Sequence, residues 1–186
     1  MSLDTMKKIA VAACLTSATA LFGTASAHVV LEYQVAPAGA SYKAAFKVGH
    51  GCGTSPTRQV VVDIPAGMRG ARPMPKPGWT LDVQRDKLAQ PHTSHGRNIT
   101  EDVVRVTWTA KTADDMLQST HYDEFVLVAT APEQAGTVYW PVRQVCVEGR
   151  NDWVDVPRAG QKLSDLKSPA AALEILPSGG AAAHHH

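Results

Sequence analysis

The sequence carries almost no net charge: 18 lysines and arginines stand against 17 aspartates and glutamates, for a formal +1. Without a basic field there is nothing to hold nucleic acid or an anionic membrane surface. Charged residues make up only 19% of the chain, too few for long solvated helices. Cysteine is scarce, at three in 186 residues, and no CxxC spacing occurs, which disfavours a thiolate metal site. Methionine is thinly scattered, with Met68, Met74 and Met116 the only ones past the first few residues, so a thioether Cu(I) cluster is unsupported. No Ser/His/Asp signature, phosphate loop or HExxH motif is present, and with them go the most recognisable hydrolase and nucleotide chemistries. There is no internal repeat.

Turn residues are abundant instead, with 14 glycines and 12 prolines. The first 27 residues read as a secretory signal: Lys7 and Lys8, an apolar run from Ile9 to Phe22, and an Ala-x-Ala junction at Ala25-Ser26-Ala27. The apolar run is shorter than the roughly 20 residues a bilayer span needs. A rival processing route, lipidation at Cys14 after Val11-Ala12-Ala13, suffers from the thin apolar segment between Lys8 and Cys14. Residues 181–186 read as a linker and partial purification tag, so His184, His185 and His186 are set aside from metal reasoning. Removing residues 1–27 takes away Lys7, Lys8 and Asp4 and leaves 16 basic and 16 acidic side chains. It also leaves Cys52 and Cys146 as the only thiols of an exported chain, placed by this reading in the periplasm and without a membrane anchor. One disulfide is the simplest expectation in an oxidising compartment.

Short apolar and β-branched runs recur between Gly, Pro and Asn clusters, the rhythm of a sandwich. They cover 28–35, 41–48, 58–64, 79–84, 102–110, 122–130, 137–147 and 153–156. The expectation is an all-β antiparallel sandwich of about eight strands over 28–158, because parallel pairing would need crossover helices. Met68 to Gly78, with three prolines and two glycines, reads as a shaped loop. Asp86 to Thr100 reads as a flap or long hairpin, and residues 159–180 as a loosely packed tail.

The most informative residue is His28, the expected first residue after cleavage. Its α-amine, with an ordinary pKa near 8, and its imidazole close one chelate ring on a metal. Amine plus imidazole suits Cu(II) over other divalent ions, with zinc and nickel as rivals. Other ligands must be brought from afar. Glu124 opens the apolar strand Phe125 to Val128, as a ligand or as a solvated strand-end acid. Trp153 is a core tryptophan on residue type alone. Glu32 lies four residues after His28 and shares its face of an extended strand, which makes it a supporting candidate. His50, beside Cys52, reads as a loop histidine, and His92, His95 and His121 as solvated.

His28-Val-Val-Leu-Glu32, His50-Gly-Cys52, Met74-Pro-Lys-Pro-Gly-Trp79, Tyr122-Asp-Glu-Phe125, and Tyr139-Trp-Pro-Val142 through Cys146 to Trp153 together resemble the YcnI-like family of bacterial copper-binding proteins. The similarity spans about residues 28 to 158. It implies an exported immunoglobulin- or fibronectin-like sandwich that binds Cu(II) through a single-histidine brace. The metal roles would fall to His28, Glu124 and Trp153, with His121 or Asp123 as alternatives to Glu124. The expected function is copper homeostasis, by storage, delivery or detoxification, without catalysis, alongside another periplasmic or membrane copper-handling protein. Two rival readings stand beside it. A copper mono-oxygenase acting on polysaccharide would need a second histidine from His92, His95 or His121, and a metal-free module would bind another envelope protein through a sandwich face.

Overall fold

A computed structural model of the chain describes residues 28–178 apart from residue 95. The expected signal segment with Cys14, His95 and the expected linker and tag at 181–186 therefore lie outside the described residues. Among the described residues twelve strands run in the order β1 (Val30–Leu31), β2 (Val35–Pro37), β3 (Ser41–Val48), β4 (Thr57–Asp63), β5 (Arg69–Pro73), β6 (Trp79–Ser94), β7 (Arg97–Ala110), β8 (Asp123–Thr130), β9 (Gly136–Trp140), β10 (Val142–Cys146), β11 (Arg150–Trp153) and β12 (Ala171–Leu176), with one short 3-10 turn at Leu163–Asp165. They form three sheets, β1-β3-β8-β5, β11-β10-β4-β7-β6 and β2-β12-β9. Among the described residues no helix is long and apolar enough to cross a membrane.

Alternation along β3 shows why these runs become strands. Tyr42, Ala44, Phe46 and Val48 are buried, while Lys43 and Lys47 stay at the surface. A period of two leaves one face apolar, and that face packs against Val60 and Val62 of β4 and Val106 and Trp108 of β7 in one continuous core. Trp108 and Trp79 both meet Phe125 edge-on, and Phe46 meets Trp140 the same way. The Trp108 indole N–H, which burial would otherwise orphan, donates to the Met74 carbonyl at 3.1 Å.

The fold confirms the all-β sandwich and refines its bounds. The apolar run 137–147 is two strands, because Pro141 lacks the N–H a ladder needs and the chain changes sheet there. Trp140 pairs with Ala171 in one sheet, and Val142 pairs with Val62 in another. The polar stretch 86–100 is the tip of a long hairpin, β6 with β7, paired from Trp79 opposite Ala110 to Ser94 opposite Arg97 with register shifts after Gln84 and after Lys87.

Two expectations are corrected. The stretch 68–78 is not wholly a loop, since β5 forms within it as an edge strand paired only to β8. Residues 159–180 are not simply a loose tail. Residues 171–176 form β12, which carries Ala171, Leu173 and Ile175 into the core and lies between β2 and β9. The β2–β12 pair is the one parallel pairing among named strands, made between the first and last parts of the sandwich. Nearly the whole domain therefore serves as its crossover.

Cys52 and Cys146 are joined, with Cα atoms 6.0 Å apart across 94 residues of sequence. Gln144, buried in the same layer, donates through Nε2 to the His50 carbonyl at 2.5 Å and to Thr57 Oγ1 at 2.7 Å, and accepts from Asn151 Nδ2 at 3.2 Å. The bridge and this buried amide together lock the β3–β4 turn to β10.

Candidate metal centre

His28 enters the sandwich just ahead of Val29 and Leu31, which are 2% and 1% exposed and anchor this segment in the core. Trp153 ends β11 opposite Val142, an inward-facing position, and is 6% exposed. The two rings, 125 positions apart in sequence, meet at 5.1 Å between centroids with planes at 88°. A small cleft of about 100 Å³ borders His28, walled by Leu31, Gln34 and Leu163. The Trp153 indole N–H is buried and has no hydrogen-bond partner among the described residues. Trp153 is thus a core residue and the histidine's neighbour at once.

Glu32 and Glu124 lie on the outward face of the first sheet. Val30 is opposite Lys47, and Lys47 is opposite Glu124, so the three occupy one row across β1, β3 and β8. Glu32 binds Lys47 at 2.8 Å. The hydrogen bond and charge of Glu32, with further help from Glu124, push the Lys47 ammonium above its usual range. Glu124 also accepts a hydrogen bond from the Tyr122 hydroxyl. Desolvation first, then that bond and the charges of Glu124, Glu32 and Asp123, push the Tyr122 phenol up to about 12. Asp123 is occupied by Lys76 at 2.6 Å and by the Glu124 backbone N–H at 2.8 Å. His121 is exposed in the segment before β8.

The structure therefore gathers His28 with Trp153, and Glu32 with Lys47 and Glu124. Among the described residues no three His, Cys, Asp or Glu side chains assemble into a group that would hold a metal ion. The chelating capacity on this side of the molecule rests on one residue, whose α-amine exists only after cleavage before residue 28. The role of Lys47 between two carboxylates was not foreseen. Its signal in the sequence was the outward register of Lys43 and Lys47 on an otherwise apolar strand.

The class defined by this architecture is a disulfide-tied, immunoglobulin-like β-sandwich in which His28 packs against a buried tryptophan. The model of a family described as a domain of unknown function, DUF1775, matches residues 28–175, and the chain belongs to that family. A crystal structure of an uncharacterised protein from Nocardia farcinica, described as revealing an immunoglobulin-like fold, is similar to it. The two share 26% identity over 80% of this chain and 97% of that one, with a TM-score of 0.61. No curated protein matches the chain.

Proposed function

We propose that this is an exported Cu(II)-binding protein of copper homeostasis, resembling the YcnI-like proteins, that holds its cargo at a single-histidine brace on His28. The observation that supports the reading is the contact of the His28 ring with the buried Trp153 indole. The donor chemistry fits: one amine and one imidazole nitrogen on the same residue favour Cu(II) by ligand softness and by the Irving–Williams order. Glu124 is the proposed oxygen donor, and its side chain must exchange the Tyr122 hydroxyl for the metal. Trp153 has no lone pair to give. Its proposed work is to exclude water and extra ligands from one side of the ion. Glu32, tied to Lys47, sets the charge beside the site.

A site open to solvent on one side, with His28 its only proposed source of nitrogen ligands, suits transfer rather than permanent retention. The proposed partner is therefore another copper-handling protein of the periplasm or its membrane, and no catalytic step is assigned. Calorimetry on cleaved protein freed of its C-terminal histidines tests the ligand set. His28→Ala abolishes tight Cu(II) binding, and Glu124→Gln weakens it by about ten- to a hundred-fold, the range seen when a supporting group is lost from a metal site. Undiminished binding in His28→Ala overturns the proposal, and an unchanged affinity in Glu124→Gln removes the carboxylate from it.

A further inference from the structure

On the side of the sandwich formed by β5 and the β6–β7 hairpin, a cleft of roughly 500 Å³ is lined by Arg69, Arg72, Arg85 and His92. Ordinary alternation would send Arg69 and Arg72, three positions apart, to opposite faces of β5. A register shift between them prevents this: Arg69 is opposite Thr130 and Arg72 is opposite Val128. Thr130 and Val128 are two positions apart on β8 and share its outward face, while Leu127 and Ala129 point into the core. Both guanidinium groups are thereby delivered to one side. The extra residue that does this is Gly70, at φ +60°, a glycine bulge in the left-handed region that other residues rarely adopt. Asp102 of β7, only 6% exposed, holds the bulge by accepting the Gly70 N–H at 2.7 Å.

The buried acid of this cleft, Asp102, is already committed. Both Asp102 oxygens accept backbone N–H groups, those of Gly70 and Val103. Glu133, the exposed acid of the lining, turns its carboxylate toward Gly39, where a Cβ would sit 2.6 Å from it. Among the described residues none of the three arginines forms an ion pair. Ala71 and Ile99 add apolar wall. Guanidinium forks suit planar carboxylates in bidentate pairs, and a cleft of this size accommodates a small organic molecule with room to spare. An inorganic anion would leave the apolar wall unused.

We infer that this cleft binds a small organic polycarboxylate, with Arg69 and Arg72 as its principal partners and Arg85 at the rim. The site is remote in sequence from His28, and the inference does not depend on copper. Propane-1,2,3-tricarboxylate titrated into metal-free protein at low ionic strength provides the test, by calorimetry. The expected result is saturable one-to-one binding with Kd below about 1 mM. Arg69→Gln and Arg72→Gln each weaken it about ten-fold or more, and Arg72→Lys weakens it less than Arg72→Gln. His28→Ala leaves it unchanged. Absence of saturable binding, or binding indifferent to both glutamine variants, overturns the inference, as does loss of binding in His28→Ala. Inorganic phosphate binding as tightly as the tricarboxylate would remove the carboxylate assignment. Tetraglutamate binding in place of the tricarboxylate would assign the cleft to an acidic peptide instead.

Discussion

Replacing both Cys52 and Cys146 by serine probes how much of this small sandwich depends on its single covalent tie. The bridge spans 94 residues, and on the chain-entropy relation a loop of that length restricts the unfolded chain by about 4.7 kcal/mol at 25 °C. Native-state losses add to this, since the Cys52 N–H donates to Cys146 Sγ at 3.0 Å and Cys146 is only 1% exposed. Measured losses for native disulfides run from about 2 to 5 kcal/mol, a large share of the roughly 5 to 15 kcal/mol that holds a typical domain together. With a urea slope of about 2 kcal/mol/M, the midpoint should fall by about 1 to 2.5 M. Equilibrium urea unfolding followed by tryptophan fluorescence reads this directly, with slopes compared to check that the unfolded state is comparably exposed. A fall of less than about 0.3 M would refute the reasoning, because it would mean that the Gln144 network and the β4–β10 ladder already fix the turn without the bond.

Three further outcomes follow from particular contacts. Leu173→Ala, at a fully buried position of β12, should cost about 2 to 5 kcal/mol in thermal or urea unfolding; a cost near zero would return residues 171–176 to the status of a loose tail. Burial acts to raise the Asp63 carboxyl, but hydrogen bonds and charge from Arg105 and Arg143 outweigh it and hold the group below the usual carboxylate range. Its stabilising contribution is therefore present above the unfolded carboxyl pKa and lost as pH falls through the folded one. The stability gap between wild type and Asp63→Asn should close on acidification, and a gap constant from pH 7 to pH 2 would contradict the ion-pair assignment. Trp153→Phe should change the copper paramagnetic resonance spectrum more than the stoichiometry, since the indole shapes access to the ion without donating to it; an identical spectrum would separate Trp153 from the site.

How much was legible in the sequence depended on whether each signal was local. The run 41–48 coincides with β3 because its apolar residues Tyr42, Ala44, Phe46 and Val48 alternate with Ser41, Lys43 and Lys47, buried Ala45 being the one exception, and 79–84 and 102–110 fall within the two limbs of the long hairpin. β5 was hidden because its strand works through an irregularity. Gly70 supplies the bulge, and Pro73 is tolerated at the end of an edge strand, yet both residues signal a turn when met in sequence. β12 was hidden by composition. Alternation is present, with Ala171, Leu173 and Ile175 inward, but two of its six residues are alanines and prolines flank it on both sides. The change of sheet at Pro141 left no mark in hydrophobicity, since the run on either side is equally apolar.

The candidate site was less open to such reading. Residue type and the cleavage junction single out His28, whereas its contact with Trp153 joins the first strand segment to β11 and no spacing rule links them. The pairing of Cys52 with Cys146 needed only a count of thiols. The alignment of Arg69 with Arg72 depends on one glycine's backbone angle, which a period-two reading of β5 would have missed.

The most direct measurement of the copper reading compares two metal-free proteins lacking the C-terminal histidines, one beginning at His28 and one carrying a single alanine before it. Adding that residue moves the α-amine away while leaving the imidazole, Glu124 and Trp153 intact. Cu(II) titration followed by calorimetry and paramagnetic resonance should show one tightly bound ion in the first protein, and in the second the same loss of tight binding that His28→Ala produces. Unchanged stoichiometry, affinity and spectrum in the extended protein would contradict the brace.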